Sequence, residues 1–537
     1  MRYSELIAAA LATAIGSISP AVLSTQSSAQ TAGAATTSQA KAPGLQCTPA
    51  PSPSPVPDPF ENRLVGDFPI GLVPIDNNVK DSILKSGLPC EEHVSPNAGL
   101  EKEGLENLQR GFDFYSWRTF IALNSPADGT PIEGAQPATR TRWEDADNFK
   151  QLLDVMLPAN LQPPKWPTDR AGMEAERERL MPEECRALDE QMPGRMVVKM
   201  IEESFNEPFK TGPLIDQQGH YAIFDILMNR QMFDYIMKNH LNTQAGQTSA
   251  VNSGLAVDFP PGDDHPPGDD PSPTLGAFML KVSWKILVPE EIEAKNFHMV
   301  DALVLMPPGD PKAKRPCLPK TLGLIGFHAV HKTKGRPQWI WTSFEHVQNV
   351  PDKEEVAAKK FSGPYNFFNV NCKDDCPEVN ATPPRQFWQP DPALELTFGD
   401  AKFKSQIVRE TPLTDAAKNM NKIFQSMLHG TVWENYMLIT TQWPSVFDCT
   451  SLHSQVPAPL PRTDFLKQPD MTCSPAPTFM ANSTLETYSQ GDIPQASSSC
   501  IGCHGNAVGF QPAASNPTPG QVFLNQSDFT FILEKAQ

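Results

Sequence analysis

Along AFMLKVSWKIL the apolar residues Phe278, Leu280, Val282, Trp284 and Ile286 alternate with more polar positions, and this period of two predicts a half-buried strand. Val300–Met306, Thr321–His331 and Gln338–Val347 are further strand candidates, and KTKGRP between the last two has the chemistry of a hairpin turn. Their connections are too short for helical crossovers, so the pairing is expected to be mainly antiparallel. Earlier in the chain the period lengthens. Phe112–Leu123 puts Phe114, Trp117 and Ile121 on one helical face, and Tyr221–Leu241 does the same with Phe224, Leu227, Met228, Met232, Tyr235 and Ile236. Both are expected to be buried helices whose aromatic and methionine stripes are core rather than cofactor lining. A further helical stretch is expected over Leu413–Leu438. The class is α+β: a large body with helices and a mainly antiparallel sheet, with a C-terminal segment packed on it.

The first residues, with Arg2 ahead of an apolar run from Leu6 to Leu23 and small residues Ser27 and Ala29 near a cleavage point, read as a secretory signal over 1–29. Residues 30–59 are rich in Ala, Thr, Ser and then Pro, a composition that buries no core and reads as an extended linker. The body follows over 60–475, and residues 476–537 form the C-terminal segment. FPPGDDHPPGDDPSPT, Phe259–Thr274, reads as a long solvated loop between a helix-rich and a strand-rich half. No later stretch is apolar enough to span a membrane, so no transmembrane segment is expected in the mature chain.

A formal net charge of −18 over 537 residues argues against nucleic acid as a ligand. Ten cysteines fit an oxidising compartment. Apart from Cys500 and Cys503 there are Cys47, Cys90, Cys185, Cys317, Cys372, Cys376, Cys449 and Cys473, an even set whose pairing spacing alone does not fix. Only Cys372 and Cys376 are close enough in sequence to suggest a local bridge.

The chemistry lies in SSSCIGCHGNA. Cys500, Cys503 and His504 form Cys-x-x-Cys-His, in which two thiols add to haem vinyl groups and the adjacent imidazole is placed to ligate the iron. A thioredoxin-like redox pair expects a βαβ setting, whereas this stretch is rich in Ser, Gly and Pro. A zinc site lacks its companion pair. The expected cofactor is therefore one covalent haem c, and the expected location is the bacterial periplasm or exterior. Only 33 residues follow His504, with neither Met nor His among them, so a second axial ligand is expected from upstream. The candidates are His331, His328 and Met480, with Met471 and His346 weaker. His328 and His331 lie three apart, so on a strand they face opposite sides and only one reaches a given haem. Phe523, Phe529, Phe531 and Leu533 are available as apolar cover, and DFTFILEKAQ reads as a short helix capped by Asp528.

Several segments resemble a bacterial group described simply as cytochrome c family protein: Ser116–Asn124, Gly323–Pro351, Gly430–Pro444, Ala481–Gln490, and SSSCIGCH with DFTFILEKAQ. The resemblance implies a large body ending in a segment that binds a single haem. It brings no reaction or substrate. The chain departs from the group at Asn124-Ser125-Pro126, where the group carries Asn-Trp-Pro.

Three functions compete. The first is electron transfer to or from a periplasmic redox partner. The second is a haem-dependent oxidoreductase or peroxidase acting on a small molecule, with His331, Arg336 and Glu345 available as acid, base or orienting groups. The third is an exported binding protein with structural haem. The chain contains no Gly-x-Ser-x-Gly, no His-Glu-x-x-His and no phosphate-cradling glycine loop.

Overall fold

A computed structural model describes residues 45–49, 77–85, 87–92, 100–199, 207–208, 211–266, 272–306, 315–373, 375–388, 403–444, 475–477, 480–491, 499–505, 507–510 and 527–537. The expected signal, most of the linker, Cys449, Cys473, Met471 and Phe523 lie outside them.

The alternating segments form one sheet that carries both core faces. A short parallel pair, β1 (Cys47–Thr48) and β2 (Leu88–Pro89), stands apart from it. In chain order the main sheet comprises β3 (Phe149–Gln151), β4 (Met196–Lys199), β5 (Ile223–Asn229), β6 (Phe278–Ile286), β7 (Met299–Leu305), β8 (Cys317–Thr333), β9 (Arg336–His346), β10 (Tyr436–Pro444) and β11 (Pro475–Ala476). The order across it is β11-β10-β9-β8-β6-β5-β3. β8 is long enough to pair with β6 along one edge and with β7 and then β9 along the other. The pairing is antiparallel throughout except between β4 and β7.

Because neighbouring residues on a strand point to opposite faces, the sheet sorts its side chains into two sets. On one face Leu280, Val282, Trp284, Phe327, Ala329, Phe344 and Leu438 pack on Trp117, Phe120 and Ile121 of the helix Leu100–Asn124. On the other, Met279, Val330 and Trp341 pack on Met480, Ile501, Phe529, Ile532 and Leu533. The C-terminal segment thus lies on the face opposite the long helix.

Two expected helices are only partly helical. Within Tyr221–Leu241, Ile223–Asn229 is β5, hydrogen-bonded to β6, and only Arg230–Lys238 is helix. A continuous apolar run fits a strand covered on both faces as well as it fits a buried helix, and the ladder with β6 decides. Asn229 marks the switch: its side chain accepts from Met232 N at 3.1 Å as the helix cap and donates to Gly276 O at 2.8 Å. Within Leu413–Leu438 the helix is Asp415–Met427, capped by Thr414. Beyond it Gly430, at φ +86°, turns the chain toward β10. The halves are also less distinct than expected, since β3, β4 and β5 of the first half complete the same sheet. Nor is the base of the Phe259–Thr274 loop solvated. Gly262 N donates to Lys332 O at 2.7 Å, and Asp263 bridges Thr274 in a buried position; residues 267–271 lie outside the described set.

Disulfides join Cys47 to Cys90, Cys185 to Cys317 and, as expected locally, Cys372 to Cys376. The second spans 132 residues and fastens the helix Glu183–Gln191 to β8.

Asp113 lies within the helix–sheet interface. It accepts from Gln109 Nε2 at 2.9 Å and from Thr441 N at 3.1 Å, with no cation among the described residues against it, and burial pushes its carboxyl up to about 7. A carboxyl raised in the folded state loses stability as pH climbs from its unfolded value, near 4, through 7. Asp113→Asn is therefore expected to raise the thermal midpoint at pH 8, by an increment that shrinks as pH is lowered to 5. A midpoint difference independent of pH would contradict this.

Candidate functional site

Cys500–His504 forms a short helix, with Ser499 as its cap: Ser499 Oγ accepts from Gly502 N at 3.1 Å. Five residues make too few internal hydrogen bonds to hold a helix alone, and β10 supplies the remainder. The buried Gln442 side chain accepts from Ile501 N at 2.8 Å and donates to Pro477 O at 2.7 Å. Ile501 anchors the helix in the apolar cluster beneath it. Cys500 and Cys503, three apart on this turn, share one helix face. Neither belongs to a disulfide, in contrast to the six other cysteines among the described residues, and burial pushes the Cys500 thiol well up.

His504 sits between Trp341 of β9, ring centroids 4.3 Å apart, and Phe531, 4.9 Å away. Its Nδ1 lies 2.9 Å from Phe529 O. A carbonyl oxygen can only accept, so the ring proton is on Nδ1 and Nε2 keeps its lone pair. Burial holds the imidazole neutral, its pKa pushed down to about 3. A neutral imidazole with Nδ1–H on a backbone carbonyl is the arrangement in which histidine serves metals. Two thiols on one helix face beside such an imidazole are a donor set that suits covalent haem, so the residues present fit that group.

The sheet carries a charged set to the same side. His328 Nε2 lies 2.9 and 3.0 Å from the two carboxylate oxygens of Glu486. Lys281, directly across from His328 in the β6–β8 ladder, comes within 3.6 Å of Glu486 and donates to Leu485 O at 2.9 Å. Burial would raise Glu486; His328 and Lys281 outweigh it and hold its carboxyl down at about 2. The field of all three reaches His504, and that of Lys281 and Glu486 reaches Cys500. Met480 is buried in the cluster that holds Ile501, on the same sheet face.

His331 is the exception among the expected distal ligands. Three residues on from His328, an odd number of strand positions, it points to the opposite face, against Phe278 and the long helix. There Nε2 donates to Leu275 O at 2.5 Å and Nδ1 accepts from Tyr115 Oη at 2.5 Å, so both ring nitrogens are engaged, and burial pushes its pKa down to about 4. His346 is likewise enclosed, 3.0 Å from Asn296 O and stacked on Phe297. Nor do His331, Arg336 and Glu345 form one acid–base group. Arg336 binds Glu92 at 3.0 Å, and Glu345 binds Arg409.

No family model, curated protein or solved structure matches this chain. Its site is therefore read from its own residues. Among the described residues no cluster of three or more His, Cys, Asp or Glu has the form of a bare-ion site, and no helix is long and apolar enough to cross a membrane.

Proposed function

We propose that the protein is an exported c-type cytochrome of the bacterial periplasm. It would carry one haem c bound through Cys500 and Cys503, with His504 as the axial ligand, and exchange electrons with a redox partner there. The observation that carries the reading is the hydrogen bond from His504 Nδ1–H to the Phe529 carbonyl, which fixes the tautomer a ligand needs. Haem, when bound, supplies one-electron chemistry; the chain supplies attachment, orientation and a dry, largely apolar setting. The resemblance to the cytochrome c family group points the same way, and three disulfides among the described residues suit an oxidising compartment.

For the second axial position His328 would be preferred over Met480, because Glu486 fixes its ring on the sheet face that carries the motif helix. The second reading, haem catalysis, draws on the same His328, Glu486 and Lys281, which would serve as acid–base groups beside an open position.

Optical spectra of the full chain from a host with c-type maturation test the choice: oxidised, reduced, and reduced under carbon monoxide. Electron transfer predicts a reduced spectrum that carbon monoxide leaves unchanged, and a carbon monoxide adduct once His328 is replaced by Ala. An adduct in the unaltered protein favours catalysis. Absence of covalent haem defeats both.

A further inference from the structure

The carbonyl that holds His504 comes from a turn built against backbone preference. Ser527–Thr530 closes with Thr530 N on Ser527 O at 3.1 Å, and its two central residues, Asp528 and Phe529, have φ of +50° and +61°. Two successive left-handed residues are the pattern of a type I′ turn, which glycine and asparagine normally supply. Phe529 has neither advantage. Left-handed backbone at a residue with a bulky side chain persists only where the surroundings impose it.

Two contacts impose it here. The Phe529 ring is buried with Ile532 and Leu533. The Asp528 carboxylate, fully enclosed, accepts from Lys332 Nζ at 2.6 Å and from Phe259 N at 2.8 Å through the same oxygen, Oδ2. Lys332 is itself buried and also bonds Asp258. It leaves β8 where the register with β9 shifts between His331 and Thr333, and opposite it Trp339 has φ +67°. Such bulges re-aim side chains next to functional sites.

We infer that the Lys332–Asp528 ion pair is a positioning device. It clamps the strained Ser527–Thr530 turn so that the Phe529 carbonyl meets His504 Nδ1–H and sets the donor strength of Nε2. This rests on His504 being the haem ligand. A hydrogen bond at Nδ1 gives the ring more anionic character and favours the oxidised iron, so the clamp lowers the midpoint potential. Lys332 and Asp528 touch neither ligand nor cofactor; they act through the turn.

Asp528→Asn separates the clamp from the backbone, since asparagine accepts left-handed φ readily but offers Lys332 no charge. The full chain carrying Asp528→Asn, Lys332→Met or Lys332→Arg is compared with the unaltered chain. One readout is midpoint potential after haem maturation. The other is hydrogen exchange at the His504 Nδ1–H, followed by nitrogen-15 histidine spectra of the chain made without haem. Asp528→Asn and Lys332→Met are expected to raise the potential and to speed exchange about tenfold, the scale of one hydrogen bond. Lys332→Arg is expected to restore both.

A lowered melting temperature with potential and exchange unchanged would overturn the inference, because a merely structural ion pair predicts that result. Failure of the unaltered chain to take up haem would defeat the proposed function instead. The exchange measurement would still judge the clamp.

Discussion

Replacing Cys500 and Cys503 together by Ser is expected to abolish covalent haem while leaving the body folded. Serine has nearly the shape of cysteine, Ser499 and Gln442 still cap the turn, and Ile501 still anchors it, so the helix Cys500–His504 loses little. The thioether chemistry, by contrast, has no substitute among the described residues, where the disulfides Cys47–Cys90, Cys185–Cys317 and Cys372–Cys376 occupy the other cysteines. The test is the haem spectrum of denatured, solvent-extracted protein, which should fall to baseline in the double variant, set beside its far-ultraviolet circular dichroism, which should not change. Haem that survives extraction would place the attachment elsewhere in the chain.

Arg409→Met is expected to lower stability by about 3–5 kcal/mol, the scale for removing one partner of a buried ion pair. Glu345, fully buried in β9, receives the guanidinium through two bonds of 2.9 and 3.1 Å, and also accepts from the Ser483 amide and hydroxyl. Without Arg409 that carboxylate is enclosed with no cation to balance it. Asp352 loses its 2.9 Å contact as well. The effect should reach the site, because Ser483 and Asn482 fix the segment that carries Glu486 to His328. Urea denaturation measures the loss, and adding Glu345→Gln to Arg409→Met should recover part of it. A midpoint unchanged by Arg409→Met would show that the pair contributes nothing net.

The parts of this arrangement that sequence discloses are those encoded locally. Alternation in Phe278–Ile286 marked a strand, but not the half-buried one expected, since both faces are covered and only Lys281 is partly exposed; the cysteine spacing marked a motif contained within five residues. Parity on β8 already separated His328 from His331; which of them faced the motif depended on where the C-terminal segment docked, and that is a property of the whole sheet. Phe224–Met228 was read as part of a helix because apolar residues buried on both sides of a strand fit a helical face equally well, and the pairing with β6 shows it to be a strand.

Groups acting through backbone were invisible. The partner of His504 is a carbonyl, which carries no side-chain signature, and Gln442 caps a helix nearly sixty residues later in the chain. Asp528 had the composition of a helix cap, yet Thr530 performs that task, its side chain accepting from Ile532 N at 3.2 Å, while Asp528 turns inward to Lys332. The left-handed φ at Phe529 was a feature composition argued against, since a bulky aromatic residue rarely adopts it.

The most direct measurement is intact mass and peptide mapping of the full chain purified from a host with c-type haem maturation. The account predicts a mass increase of one haem per chain, carried entirely by the peptide containing Cys500, Cys503 and His504. A chain of unmodified mass in that host, or a haem mapped to any other cysteine, would contradict it.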